Sequence, residues 1–143
     1  MNKKQETGLL KSARVLFYII SVLSIIAGLN YVLRGDLMPY HYDYLGKSKA
    51  EIDTRTLTLL ISAARLIGSM MISLGATFAL LTWNMGKTGS GLLTVMTVLA
   101  IPPLAVSFYV VVSIGELIPQ ALVGALILFF ISGLLILCKN NKK

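Results

Sequence analysis

A chain of 143 residues that is 56% hydrophobic and only 13% charged, with a mean hydropathy of +0.80, is excluded from the soluble domains, in which roughly a quarter of residues carry charge. The composition specifies an integral membrane protein, and the length allows one helical bundle, residues 1–143, as a single domain. The formal charge of +7 does not point to nucleic acid, because Lys3, Lys4, Lys11 and Arg14 precede the first apolar run and Lys139, Lys142 and Lys143 follow the last, as a topology signal would have it.

The first apolar run covers residues 15–33. Its apolar stretch is too long for a secretory signal and no small-x-small cleavage site follows, so it reads as a retained first span. Ser21, Ser24 and Gly28 recur on it at spacings of three and four, a small-residue face on which another helix can pack closely. Asn30 and Tyr31 stand near its end.

Residues 34–55 form the long polar connection, with Arg34, Lys47, Lys49 and Arg55 balanced against Asp36, Asp43, Glu51 and Asp53. Ser48 and Glu51 have capping-box spacing, and Asp53 offers a second cap. The second helix is therefore expected to begin outside the membrane, with Glu51 and Arg55 supporting its first turn at i,i+4. Inside this connection, MPYHYDYLG (38–46) alternates Tyr40, Tyr42 and Tyr44 with His41 and Asp43. If extended, it places the rings on one side and the polar pair on the other. An interfacial aromatic belt with Pro39 as a turn explains the segment; His41, the only histidine, is also a candidate acid, base or ligand contact. One histidine and scattered carboxylates suit zinc poorly and leave an oxygen-rich calcium site open, and no metal is assigned.

The second span, 56–81, carries Arg65 inside an apolar run. A guanidinium there costs at least about 2.5 kcal/mol on insertion scales, so it is expected to face a partner, a bundle interior or water. Trp83 marks an interface, and residues 84–91, NMGKTGSG, a short turn. The third span, 92–113, contains Pro102 and Pro103 and is expected to kink there. After a turn at 115–119, the fourth span, 120–138, has Gly124, Ser132 and Gly133 as packing positions. The fold class is all-α, a four-transmembrane-helix bundle, antiparallel and up-down. Eight basic residues on one side against four in the first connection place both termini in the cytoplasm.

With that topology, Arg65 shares the outer half of the bundle with Asn30, Tyr31, Tyr109, Ser113, Glu116 and Gln120. On its own helix Ser62, Arg65, Ser69, Ser73 and Thr77 share a stripe that should face inward. Arg65, Glu116, Asn30, Tyr31, Ser62, Ser69, Tyr109, Gln120 and His41 are thus the candidate binding residues, with Arg65 held by Glu116, Asp36 or Asp43. Two readings stay open: an outward-opening polar pocket for a ligand, and a structural charge that neutralises Glu116 or snorkels to the interface. Cys138 is the single cysteine, which excludes an intrachain disulfide and the paired-thiol chemistry of vitamin K epoxide reductases. The lack of a carboxylate well inside a span argues against a proton-coupled exporter of the small multidrug type. No phosphate loop, Ser-His-Asp set or zinc-protease motif occurs, so no catalytic residue or cofactor is assigned.

The order of elements and the run ARLIGSMMISLGATFALL (Ala64 to Leu81) resemble the DoxX-like group of small bacterial membrane proteins, in which the second helix opens on an arginine followed by spaced glycines, here Arg65, Gly68 and Gly75. The resemblance implies a four-helix fold in a bacterial inner membrane. It also implies company with quinone-linked oxidoreductases or a part in assembling other membrane proteins. Two functions follow as expectations. One is a non-enzymatic accessory or assembly subunit whose partner is another membrane protein or a second copy. The other is binding or transport of a small anionic or lipid-like ligand, such as a quinone or headgroup, through Arg65.

Overall fold

The computed structural model describes residues 3–85, 91–115 and 117–141, and among them every regular element is helical. In chain order these are α1 (Lys3–Leu33), α2 (Pro39–Leu45), a single 3-10 turn (Lys49–Glu51), α3 (Thr54–Trp83), α4 (Gly91–Ile114) and α5 (Leu117–Asn141). Three stretches, Leu10–Leu33, Thr54–Trp83 and Thr94–Ile114, are long and apolar enough to cross a membrane, while the apolar part of α5, Gln120–Ile136, is shorter. The helix α4 continues through Pro102 and Pro103. Each proline lacks an N–H, which leaves the carbonyls of Val98 and Leu99 without their intrahelical donors.

Helix starts and stops follow local chemistry. Asp53 caps α3 by accepting from the backbone N–H groups of Arg55 (3.1 Å) and Thr56 (3.0 Å), satisfying two of the donors that a helix start leaves unpaired. Ser48 and Glu51 do form the expected capping box, but it closes the separate 3-10 turn. Glu51 accepts from Ser48 and lies before the α3 cap, so the expected pairing with Arg55 does not occur. Gly115, at φ +83°, turns the chain from α4 toward α5, a conformation that side chains resist.

Helix α1 is the hub. It packs along α3 on one side and α5 on the other, α5 packs on α4, and α4 meets α3 only slightly. Its contact with α3 is backbone to backbone. A Cβ added to Gly28 would lie 2.5 Å from the Gly68 carbonyl oxygen, one on Gly68 2.7 Å from the Gly28 oxygen, and one on Gly75 2.7 Å from the Ser21 oxygen. Gly28 and Ser21 oppose Gly68 and Gly75 in reverse order, so the two helices are antiparallel. Both pairs are seven residues apart, the period that keeps one seam in contact when helices cross at a shallow left-handed angle. Ser21 and Ser24 are buried in the same contact face. Ser21 returns its hydroxyl to the Phe17 carbonyl at 2.8 Å.

The core sits at one end, the base, beside the connection from α3 to α4. Phe17, Phe78 and Phe130 form a triangle with centroids 6.0–6.5 Å apart in tilted and edge-on geometry. Such pairs add about 0.5–1.5 kcal/mol each beyond area burial. Ala13, Ile20, Met85, Met96 and Ala100 complete the cluster, and Gly133 gives the Phe17 ring its room. Arg14 donates to the Met85 carbonyl, placing a cation at the C-terminal end of α3, where the exposed carbonyls favour it.

At the opposite end, the head, the bundle opens. Ile67 and Phe78 are eleven residues apart and point within about 20° of each other on α3, yet Phe78 is 2% exposed and Ile67 52%. On α4, Met96 is buried and Ser107, eleven residues on, is exposed. The seam between α3 and α4 is thus closed at the base and open at the head.

If the α1–α3 backbone contact holds the fold, Gly68→Ala should lower stability by about 1–3 kcal/mol, the range for overpacking. Gly124→Ala, where nothing lies within 4 Å, should be neutral or raise stability by up to about 1 kcal/mol. Thermal unfolding of the two variants in the same detergent checks both.

Candidate functional site

The head of the α1–α3 pair carries a polar cap built by the 34–53 connection. Residues 39–45 are helical where the alternation suggested an extended segment. Pro39 occupies the first turn with its φ already helical, and Gly46, at φ 61°, ends the helix in the left-handed region, the usual division of labour between these two residues. The tyrosines therefore point in different directions. Tyr40 is half-buried with its hydroxyl 2.7 Å from that of Tyr31, Tyr42 donates to Asp36, and Tyr44 is exposed.

His41 packs against the Tyr40 ring at a centroid distance of 4.4 Å, and its Nδ1 accepts the Met38 backbone N–H at 3.2 Å. That bond requires the neutral imidazole. Burial, and secondarily the Arg34 charge, hold the His41 pKa below its ordinary value, the direction expected when a cation is desolvated beside another. Arg34 itself reaches the Met38 sulfur at 2.9 Å. Asp36 is the anionic centre of the cap, accepting from Lys49 Nζ at 2.7 Å and from the Leu37 N–H at 2.9 Å. Hydrogen bonds from Lys49 and then Tyr42 hold its carboxyl down at about 2. Burial raises the Tyr40 phenol, and its bond to Tyr31 adds to that. Between α1, α2 and α3 this leaves a shallow pocket of about 10 Å³, room for no more than a water. Its walls include Tyr31, Arg34, Met38, His41, Ile61 and Ala64.

Of the candidate residues, the cap gathers Tyr31 and His41 only. Asn30 is exposed and, two residues after Gly28, points about 160° from α3. Gln120 is half-buried and donates to the Val111 carbonyl at 3.3 Å, a brace across the α4–α5 turn. Tyr109 is 73% exposed. Glu116 lies outside the described residues.

Arg65 is exposed and does not line the cap pocket. The stripe Ser62, Arg65, Ser69, Ser73 and Thr77, expected to face inward, is exposed along its length. The reason is the glycine contact: Gly68 and Gly75 take the α1-facing side of α3, which rotates the stripe outward. Three residues before Gly68, Arg65 points about 60° to one side of the contact, and Phe78, ten residues after it, about 80° to the other. The core therefore lies on the flank opposite Arg65. Nor do the described loop carboxylates reach it: Asp36 is held by Lys49, Asp43 on α2 makes no ion pair with it, and Asp53 caps α3. No hydrogen bond or ion pair joins Arg65 to a described residue.

Arg14 and Arg34 acquire roles that charge counting had assigned to topology and loop balance. A signal for Arg34 was its position just past the first span, four residues from Met38; Arg14 gave none, because its acceptor is a backbone carbonyl 71 positions away.

No family profile, curated protein or solved structure matches the chain. The fold itself defines the class: a helical protein with, among the described residues, three helices of membrane-crossing length and apolarity, compatible with a small membrane protein.

Two titrations follow from the cap. A His41 pKa below the unfolded value means that the unfolded chain binds more protons in between, so this contribution is full above about 6.5 and is lost as pH falls through the folded pKa. NMR titration should place His41 below about 6.5, and Arg34→Met should raise it. For Asp36 the stabilising shift is present above the unfolded value of about 3.9 and is lost as pH falls through about 2. Lys49→Met should return the measured Asp36 pKa toward the ordinary carboxylate range.

Proposed function

We propose that the chain is a non-enzymatic accessory or assembly subunit of a bacterial inner membrane, with both termini cytoplasmic, that accepts a transmembrane helix of another membrane protein into the open half of its α3–α4 seam. The observation that carries this reading is the split of one helix face. The stripe of α3 that is sealed at Phe78 is bare at Ile67, 52% exposed, and so is the flank beside it at Met70, 64% exposed and about 80° around from Phe78. Opposite them, nearly all of α4 from residue 105 to 113 is exposed. Lipid chains can cover such a surface, but helices gain by shape and by polar contacts that lipid lacks. Here α4 offers the Tyr109 hydroxyl and, lower down, the two carbonyls freed by Pro102 and Pro103.

The four-span antiparallel plan belongs to the same proposal. It is supported by the antiparallel α1–α3 pair and by sequential packing of the long helices around α1 and α5. The spacing of Arg65, Gly68 and Gly75 supports a place near the DoxX-like group. Binding of an anionic or lipid-like ligand in an interior pocket draws less support, because Arg65 stands on an outer flank and the cap pocket admits no more than a water.

Photocrosslinking in intact cells tests the reading. A photoreactive residue at Tyr109 and another at Ile67 should label the same second polypeptide, and one at Ile26, also exposed at 58% but on α1, should label none. Labelling of lipid alone from Tyr109 and Ile67 would contradict it, and labelling of a second copy would make the seam a homodimer interface.

A further inference from the structure

On the flank of α3 opposite the seam, two polar groups face the membrane with no partner in the described protein. Arg65 and Ser62 are both exposed, three residues apart, and neither makes a hydrogen bond or ion pair with a described residue. Their neighbours behave differently. Thr58 donates to the Thr54 carbonyl at 2.7 Å, Ser69 to Leu66 at 2.8 Å and Thr77 to Ser73 at 2.8 Å, so these hydroxyls are satisfied by their own helix. Ser62, one turn toward the head from Arg65, is not, nor is Ser73 farther down, but only Ser62 lies on the head side of Arg65.

Depth and direction say what sits there. Arg65 lies eleven residues into α3, about 16 Å along the axis from Thr54. Helical side chains lean toward the N-terminus of their helix. For α3 this is the head end, so the guanidinium rises toward the level of Ser62 and the headgroups. An anion already stationed at that level needs no burial to meet it. The geometry points to a phospholipid phosphate, held by the Arg65 guanidinium and the Ser62 hydroxyl, in the leaflet beside the 34–53 connection. The planar fork of arginine matches two phosphate oxygens and the hydroxyl donates to a third. Arg55, exposed ten residues nearer the head, sits about 80° around from Arg65 on the same half of the helix and adds favourable charge where the headgroup emerges. A symmetric contact with a second copy through this flank would set guanidinium against guanidinium. The site stands apart from the seam and does not rest on the docking proposed there.

Native mass spectrometry of the full chain in detergent, titrated with phosphatidylglycerol, tests the site. The wild type should retain the lipid, Arg65→Leu should weaken retention by at least about tenfold, as loss of a charged hydrogen-bond partner does, and Ser62→Ala should weaken it less. Arg65→Lys should keep part of the retention and Lys47→Met all of it. Equal retention by wild type and Arg65→Leu would overturn the assignment, as would full displacement by excess inorganic phosphate, which would show a site for free anions. Because Arg65→Lys and Ser62→Ala leave the charge in place, they read the site even if Arg65→Leu fails to fold.

Discussion

The structure depends on the approach of two backbones. Where Gly28 meets Gly68 and Ser21 meets Gly75, α1 and α3 come close enough that a single Cβ would strike a carbonyl oxygen. In lipid there is no hydrophobic drive to push helices together, so such contacts have to supply the association through close packing. Everything else about α3 follows from the direction in which those glycines point. They set Phe78 toward Phe17 and Phe130, and they set Arg65 to the other side.

The same contact explains why the two ends of the bundle differ. At the base, large rings and methionines fill the space between four helices. At the head, α1 and α3 stay together while α4 leaves them, and the end is closed by the 34–53 connection, with Leu37 and Met38 buried among its polar groups. Asp36 there collects a lysine, a tyrosine and a backbone N–H, and His41 is kept neutral by its burial and its bond to Met38. The cap is a lid on a helix pair, and the exposed polar stripe of α3, with Arg65 and Ser62 at its head end, lies outside it.

Much of this was legible in the residues and some was not. The helical class, the start of α3 near Asp53, the small-residue face of α1 and the glycine that ends α4 all rest on local rules of capping, spacing and glycine conformation, although residues 117–119, expected in the turn, already belong to α5. The Tyr-His-Tyr alternation misled because period two describes a strand only if the chain is extended, and Pro39 with Gly46 makes seven residues helical instead. The orientation of the Arg65 stripe could not be had from polarity, since a polar stripe on a span reads as inward-facing unless something else takes the inward side. That competitor was present in the sequence as Gly68 and Gly75. Weighing backbone approach above side-chain polarity would have turned the stripe outward. Arg14 was illegible for a different reason: its acceptor is a main-chain carbonyl, which no side-chain pattern marks.

The azimuth of α3 is therefore the quantity to measure. In a Cys138→Ser background, nitroxide labels placed singly at Ser62, Ala64, Ser69, Ile72 and Ser73 report contact with membrane-dissolved oxygen in lipid bilayers. Rotation set by the glycines predicts high accessibility at Ser62, Ser69 and Ser73 and low accessibility at Ala64 and Ile72. The reverse pattern, with the serines shielded and Ala64 and Ile72 open to lipid, would mean that α3 turns its polar stripe into the bundle and that the glycine contact does not hold the helices together.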